Sequence, residues 1–85
     1  MEKTTVKNIT ILANNQIIIR LTNGIKIFNS YGKNIVEVSD VIKLDENYWA
    51  YSYTTSKYRC QFLCELKTET EKKIKSGEYI LTNLN

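Results

Sequence analysis

Short segments rich in β-branched residues follow one another through the first two thirds of the chain, and polar turns separate them. The turns are too short for the crossover of about a dozen residues that a parallel pair requires, so the pattern predicts an antiparallel sheet. The fifth segment is either a separate strand or a continuation of the fourth past a kink at Ser39 and Asp40. The predicted strands cover residues 6–12, 17–21, 25–29, 35–38, 41–44 and 48–53.

The loop between the second and third predicted strands ends in Gly24. A three-residue loop pairs Leu21 with Ile25 and Ile19 with Ile27, whereas a two-residue Asn-Gly loop would pair Leu21 with a lysine. Because the register of a strand follows its buried face, we expect the three-residue loop. Gly24 then takes the left-handed position of that loop.

The hydrophobic pattern changes after residue 53, where three hydroxyl residues at 54–56 can each cap a helix. Residues 68–75 are polar and form the exposed or frayed second half of this helix, Gly77 ends it, and residues 78–82 form a last strand. We therefore expect an α+β fold in a single domain of residues 1–85, with a meandering antiparallel sheet of five to seven short strands and one main C-terminal helix on one face. The apolar residues at helical spacing are Tyr58, Phe62, Leu63 and Leu66.

The residues that most catalytic sites require are missing. The chain has no histidine, which excludes Ser-His and Cys-His nucleophile pairs and removes the commonest metal ligand. Two cysteines are too few for a structural zinc site, and three scattered glycines form no phosphate-binding loop. We therefore expect a protein that is not an enzyme and that needs neither a metal ion nor a cofactor.

The sequence also indicates a compartment. Its longest apolar run, residues 17–19, is far shorter than the roughly 20 residues of a membrane span, and the first residues lack the apolar stretch of a signal peptide. Cys60 and Cys64 lie four residues apart on the predicted helix, where they are poorly placed for a disulfide and are expected to pack as reduced thiols. We expect the protein in the cytoplasm of the cell that makes it.

Aromatic and cationic residues are concentrated where the sixth predicted strand meets the helix. They form either the core under the helix or an exposed platform for a partner protein or for stacked bases. Lys57 and Arg59 lie near the positive end of the helix dipole, so the helix entrance is either a hydroxyl cap with solvated cations or a site for a phosphate or carboxylate. The candidate partner-binding residues are Trp49, Tyr51, Tyr53, Thr54, Thr55, Ser56, Lys57 and Arg59.

Residues 51–57 form the motif Tyr-Ser-x-Thr-Thr-Ser-Lys, which follows the segment Phe-Asn-Ser-Tyr at residues 28–31. This arrangement resembles a family of small uncharacterised proteins from bacterial phages and mobile elements, over roughly residues 28–63. The family pattern continues with a histidine where this chain has Tyr58. The resemblance implies no activity, but genes of this size in phages often encode stoichiometric inhibitors of host systems, including anti-CRISPR proteins.

These observations favour a small binding protein that inhibits a host protein, with a CRISPR effector as the candidate target. The alternatives are a nucleic-acid-binding accessory protein that uses the aromatic and basic residues, and a homodimeric structural or assembly factor joined through an exposed sheet edge. The formal net charge of +3 is mild for a nucleic-acid-binding protein. Nucleic-acid binding should weaken steeply with salt, and a protein interface should depend on salt less.

Overall fold

A computed structural model describes residues 5–85 as one six-stranded sheet with two helices. The strands lie side by side in chain order, β1 to β6. The α+β class and the strand-rich first two thirds are confirmed. The elements are β1 (Val6–Ala13), β2 (Gln16–Leu21), β3 (Lys26–Ser30), β4 (Lys33–Val38), β5 (Ile42–Asp45), α1 (Tyr53–Leu63), α2 (Lys67–Ser76) and β6 (Tyr79–Thr82).

The hairpin between β2 and β3 has the predicted register. Ile19 pairs with Ile27, and the amide of Leu21 donates to the carbonyl oxygen of Ile25 at 2.9 Å, which leaves three residues in the loop. Gly24 has φ +90° and donates its own amide to the carbonyl oxygen of Leu21 at 3.1 Å. The hydrophobic pattern therefore predicted the register correctly, because shifting the pairing of the two strands by one residue would move every aliphatic side chain to the other face of the sheet.

The positive φ of Gly24 makes this position testable. A Cβ built at Gly24 meets no atom within 4 Å, so a larger residue would have room for its side chain. The cost of replacing Gly24 therefore comes from the positive φ of the backbone and not from a steric clash with neighbouring residues. We expect Gly24→Val to lower the free energy of unfolding by about 1–2 kcal/mol in a urea titration, and Gly24→Asn to lower it by roughly half as much, because asparagine tolerates positive φ. Equal losses for the two variants would contradict a conformational origin.

The sheet is not a pure antiparallel meander. Strands β1 to β5 are antiparallel neighbours, but β6 pairs with β5 in parallel, with Ile42 opposite Tyr79 and Leu44 opposite Leu81. Both helices lie in the chain between these two strands, and such a crossover can return the chain in the same direction. The prediction of an entirely antiparallel sheet is wrong at this edge.

The single long helix of the prediction is in fact two helices. Cys64 ends α1 in the left-handed conformation with φ 57°, and its amide and that of Glu65 return to carbonyl groups of the last turn. Glu65, whose side chain is 4% exposed, accepts hydrogen bonds from Thr70 at 2.9 Å and Lys73 at 2.7 Å. The polar segment predicted as an exposed or frayed helix end is therefore the separate helix α2, which Glu65 ties to the end of α1.

Residues 48–52 are turns and bends, so the sixth predicted strand is wrong. The buried Asp45 explains the difference, because its carboxylate accepts the amides of Asn47 and Tyr48, both at 3.0 Å, and its carbonyl oxygen accepts the amide of Trp49 at 3.0 Å. Local bonds of this kind compete directly with strand pairing. The chain turns away from the sheet after β5 and enters α1.

The core lies between one face of the sheet and the two helices. Phe28 of β3 is fully buried and stacks on Phe62 of α1 with ring centroids 5.8 Å apart. Leu44 and Tyr79 extend this core toward β6, where Ile74 of α2 packs against it. Neither helix of residues 5–85 is long and apolar enough to cross a membrane.

Candidate functional site

Helix α1 begins at Tyr53, one residue after the side chain that caps it. Ser52 has extended backbone angles, and its hydroxyl accepts the amide of Thr55 at 3.1 Å. The predicted caps at residues 54–56 are thus two to four residues too late. Lys57 and Arg59 consequently lie in the second turn of the helix, where the unfavourable dipole effect is weaker than in the first turn.

Thr55 and Ser30 join the start of α1 to the sheet. Both residues are fully buried, and their hydroxyl oxygens are 2.8 Å apart in a hydrogen bond. Ser30 is the last residue of β3, so this bond fixes the helix entrance against the middle of the sheet. Thr55 therefore positions the helix and is not presented to a partner.

Arg59 is the largest fully buried side chain, and it faces the segment that precedes the helix. Its guanidinium group donates to the carbonyl oxygen of Trp49 and lies 5.0 Å from the centre of the Trp49 ring in a cation–π contact. Burial lowers the pKa of Arg59, although the thiol of Cys60 beside it opposes that effect. Among residues 5–85 no carboxylate lies within salt-bridge distance of Arg59. Its main interactions are therefore the hydrogen bond to the Trp49 carbonyl oxygen and the cation–π contact with the Trp49 ring.

The exposed side of the same segment forms an open groove of about 610 Å³ between the segment before α1, α1 itself and the start of α2. Tyr53 is 84% exposed and Tyr51 is 44% exposed, which is high for aromatic side chains. We call this depression the aromatic groove. Its lining residues are Ala50, Tyr51, Ser52, Tyr53, Ser56, Lys57, Cys60, Gln61 and Lys67.

The aromatic groove is positively charged. Its lining includes Lys57 from α1 and Lys67 from α2, and no carboxylate. Lys67 lies 3.9 Å from Glu71 on the exposed surface, where such a pair contributes little. No carboxylate of residues 5–85 is within salt-bridge distance of Lys57. The groove therefore combines aromatic surface, hydroxyl groups and cationic side chains that an anionic or hydrogen-bonding partner could use.

The structure gathers four of the predicted site residues in the groove and places the others elsewhere. Trp49 is half-buried against the core, and Thr54 is half-buried outside the groove lining. Thr55 and Arg59 are buried under the groove as its support. Lys67 was not among the predicted site residues, because only the break after α1 places the start of α2 at the groove. The predicted site residues in the groove are Tyr51, Tyr53, Ser56 and Lys57.

The described part of the chain, residues 5–85, has no cluster of three or more histidine, cysteine, aspartate or glutamate side chains suited to a metal ion. Cys60 and Cys64 form no disulfide; Cys60 is half-buried and Cys64 is exposed.

Comparison with protein families gives one match, which covers residues 1–79 and is described as a family of unknown function (DUF8033). The chain belongs to this family. No curated protein and no solved structure matches it significantly.

Proposed function

We propose that the chain is a binding protein without catalytic activity and that its partner docks in the aromatic groove. The observation that carries this proposal is the open groove in which Tyr51 and Tyr53 are exposed beside Lys57 and Lys67. Exposed tyrosine side chains are frequent centres of binding energy, because they bury a large rigid area and keep a polar tip. The buried contacts of Thr55 and Arg59 hold this surface in place before any partner arrives.

A protein partner fits this groove better than a nucleic acid. Only Lys57 and Lys67 are cationic in its lining, so a nucleic acid would gain about two phosphate contacts there and would show a shallow dependence of affinity on salt. A dedicated nucleic-acid surface has a denser basic cluster. An acidic segment of a protein with an apolar residue to place between the tyrosines would use every feature of the groove.

We further propose that the partner is a host protein and that binding inhibits it. The support for this step is the resemblance of residues 51–57 to small proteins of phages and mobile elements. Five of the groove residues belong to that segment: Tyr51, Ser52, Tyr53, Ser56 and Lys57. A CRISPR effector is a candidate partner of this kind.

Photo-crosslinking in living cells tests the partner class. A photoreactive amino acid replaces Tyr53 in the groove and, as the matched control, Ile80 on β6, which is 42% exposed and is not part of the groove lining. We expect one dominant protein adduct from position 53 that is absent from position 80. A nucleic-acid adduct from position 53 would instead support the accessory-protein alternative, and equal adducts from both positions would contradict the groove as the binding surface.

Charge reversal then measures the contribution of the groove. With the captured protein purified, Lys57→Glu combined with Lys67→Glu should weaken binding roughly 10- to 100-fold in a calorimetric titration, the scale of lost charge-assisted hydrogen bonds. The fold should be unaffected, because both side chains are exposed. Lys72→Glu, an exposed position on α2 outside the groove, is the control and should leave affinity unchanged. Equal affinities for all three proteins would remove the cationic groove from the proposal.

A further inference from the structure

The face of the sheet opposite the helices is aliphatic across β1, β2 and β3. Ile9, Ile19 and Ile27 form one cross-strand row, and Ile11 lies beside Ile17 in the next. Because side chains alternate along a strand, these residues point away from the face that carries Phe28. We call this surface the aliphatic face. It comprises Ile9, Ile11, Ile17, Ile19, Leu21 and Ile27.

This face has no cover among residues 5–85, because α1 and α2 both pack on the other side of the sheet. Ile9 is 53% exposed and Ile11 is 75% exposed. Next to Ile27 on this face, Glu37 of β4 and Lys43 of β5 form an ion pair at 3.9 Å. Asn29 of β3 also lies on this face, opposite Ile17, and donates its side-chain amide to Asn34 at 2.9 Å. The outer face therefore has a largely aliphatic part across β1–β3 and a polar part across β4 and β5.

We propose that the aliphatic face binds a second copy of this chain, with β1–β3 of one protomer packed on β1–β3 of its partner about a twofold axis. A twofold contact requires a surface that is complementary to itself, and a sheet face with cross-strand rows of isoleucine meets that condition. Two such faces pack at about 10 Å with their side chains interdigitated, as in a β-sandwich. The six aliphatic residues offer a polar or charged partner no hydrogen-bonding side chain, and the amide group of Asn29 beside them is already bonded to Asn34.

The size of the face agrees with a weak, specific dimer. Three strands at about 4.8 Å spacing, of five to eight residues each, cover roughly 15 Å by 17–27 Å at a rise of about 3.4 Å per residue. With the roughness of the side chains, two such faces bury about 1,000 Å² in total, which is the lower limit for a specific interface. We therefore expect a dissociation constant in the micromolar range and a dimer that persists at high salt, since apolar burial is not screened.

Sedimentation equilibrium of the purified chain over a range from about 1 μM to 1 mM tests this association. We expect a monomer–dimer equilibrium for the wild type at low salt and at high salt. Ile9→Lys combined with Ile11→Lys should weaken the dimer roughly 100-fold or more, because it would bury unpaired ammonium groups. Both side chains are more than half exposed in the single chain, so circular dichroism melts should show that the variant still folds.

Two further measurements separate this interface from its rivals. Ile80→Lys places a lysine on the same face outside the aliphatic part, and the dimer should survive it. Edge pairing through β1 would protect the β1 amides that face away from β2 in hydrogen exchange, whereas a face contact leaves them exchanging. A wild-type monomer at 1 mM, a dimer unaffected by the double lysine variant, or protection of those edge amides would each overturn the proposal.

Discussion

Arg59→Glu should lower the free energy of unfolding by about 3–5 kcal/mol, and it would leave a chain at the lower end of the expected stability largely unfolded at room temperature. In the wild type the guanidinium group of fully buried Arg59 donates a hydrogen bond to the Trp49 carbonyl oxygen and lies over the Trp49 ring. The substitution places a carboxylate beside this oxygen and ring, where it can form neither interaction. Leaving a buried charge without compensation costs about 3–5 kcal/mol. A chain of this length has a total free energy of unfolding of about 4–13 kcal/mol, so a loss of that size is a large part of the whole.

The matched control for this prediction is the neighbouring cation. Lys57→Glu changes the formal charge by the same amount at an exposed position two residues earlier, so its effect on stability should stay within about 0.5 kcal/mol. Arg59→Met keeps most of the side-chain volume without the charge and should lose about 1–2 kcal/mol, the scale of the lost hydrogen bond and cation–π contact. Urea titrations followed by circular dichroism measure all three. If Arg59→Glu and Lys57→Glu unfold at the same urea concentration, Arg59 has no structural role.

The parts of the fold that the sequence predicted correctly depend on local patterns. Alternation of apolar side chains fixed the β2–β3 register, and Ile19 and Ile27 are paired as expected. The glycine of that loop has the positive φ that the turn requires. Strand β6 was also predicted, but its parallel partner was not, because strand order at a sheet edge depends on where the helices return the chain.

The errors lie where a polar side chain forms hydrogen bonds that override the hydrophobic pattern. Residues 48–53 alternate like a strand, yet the Asp45 carboxylate holds the first of them in a turn. Cys64 interrupts α1 with φ 57°, which is unusual for a residue other than glycine, and Glu65 organises the next helix. Each of these features depends on a single residue within an otherwise ordinary segment. The sequence does not show which backbone or side-chain groups that residue will contact in the folded chain, so the features could not be predicted from it.

For the candidate site, the sequence likewise predicted the region where these residues gather, but only some of the residues that line the groove. The prediction that aromatic and cationic residues gather before α1 used composition alone, and Tyr51, Tyr53 and Lys57 do line one groove. Which of those side chains face outward depends on the phase of α1 against the sheet, which places Thr55 and Arg59, four residues apart, on its buried side. Composition therefore indicated the region, and helix phase decided the roles within it.

Asp45→Ala should have a similarly large effect, because this carboxylate joins three parts of the chain. Its oxygens accept the amides of Asn47 and Tyr48 at 3.0 Å, the amide of Leu84 at 2.8 Å and the side-chain amide of Asn85 at 3.0 Å. Alanine would leave these donors without their acceptor, and each buried donor left unpaired costs about 1–3 kcal/mol. Since water can reach some of them, we expect a total loss of about 3–4 kcal/mol at pH 7. Asp40→Ala, at an exposed aspartate, should change stability by less than about 0.5 kcal/mol.

The pH dependence distinguishes this role from simple packing. Burial alone would raise the pKa of Asp45, but the hydrogen bonds from Leu84, Asn85, Asn47 and Tyr48 outweigh it and lower the pKa below the usual 3.8. A carboxyl group with a lowered pKa in the folded state stabilises the fold above its unfolded-state pKa, and that stabilisation is lost as the pH falls through the folded-state value. The difference in free energy of unfolding between the wild type and Asp45→Ala should therefore be full at pH 7 and shrink progressively below about pH 4. A difference that stays constant between pH 7 and pH 2 in urea titrations would show that Asp45 acts through its volume and not through its charge.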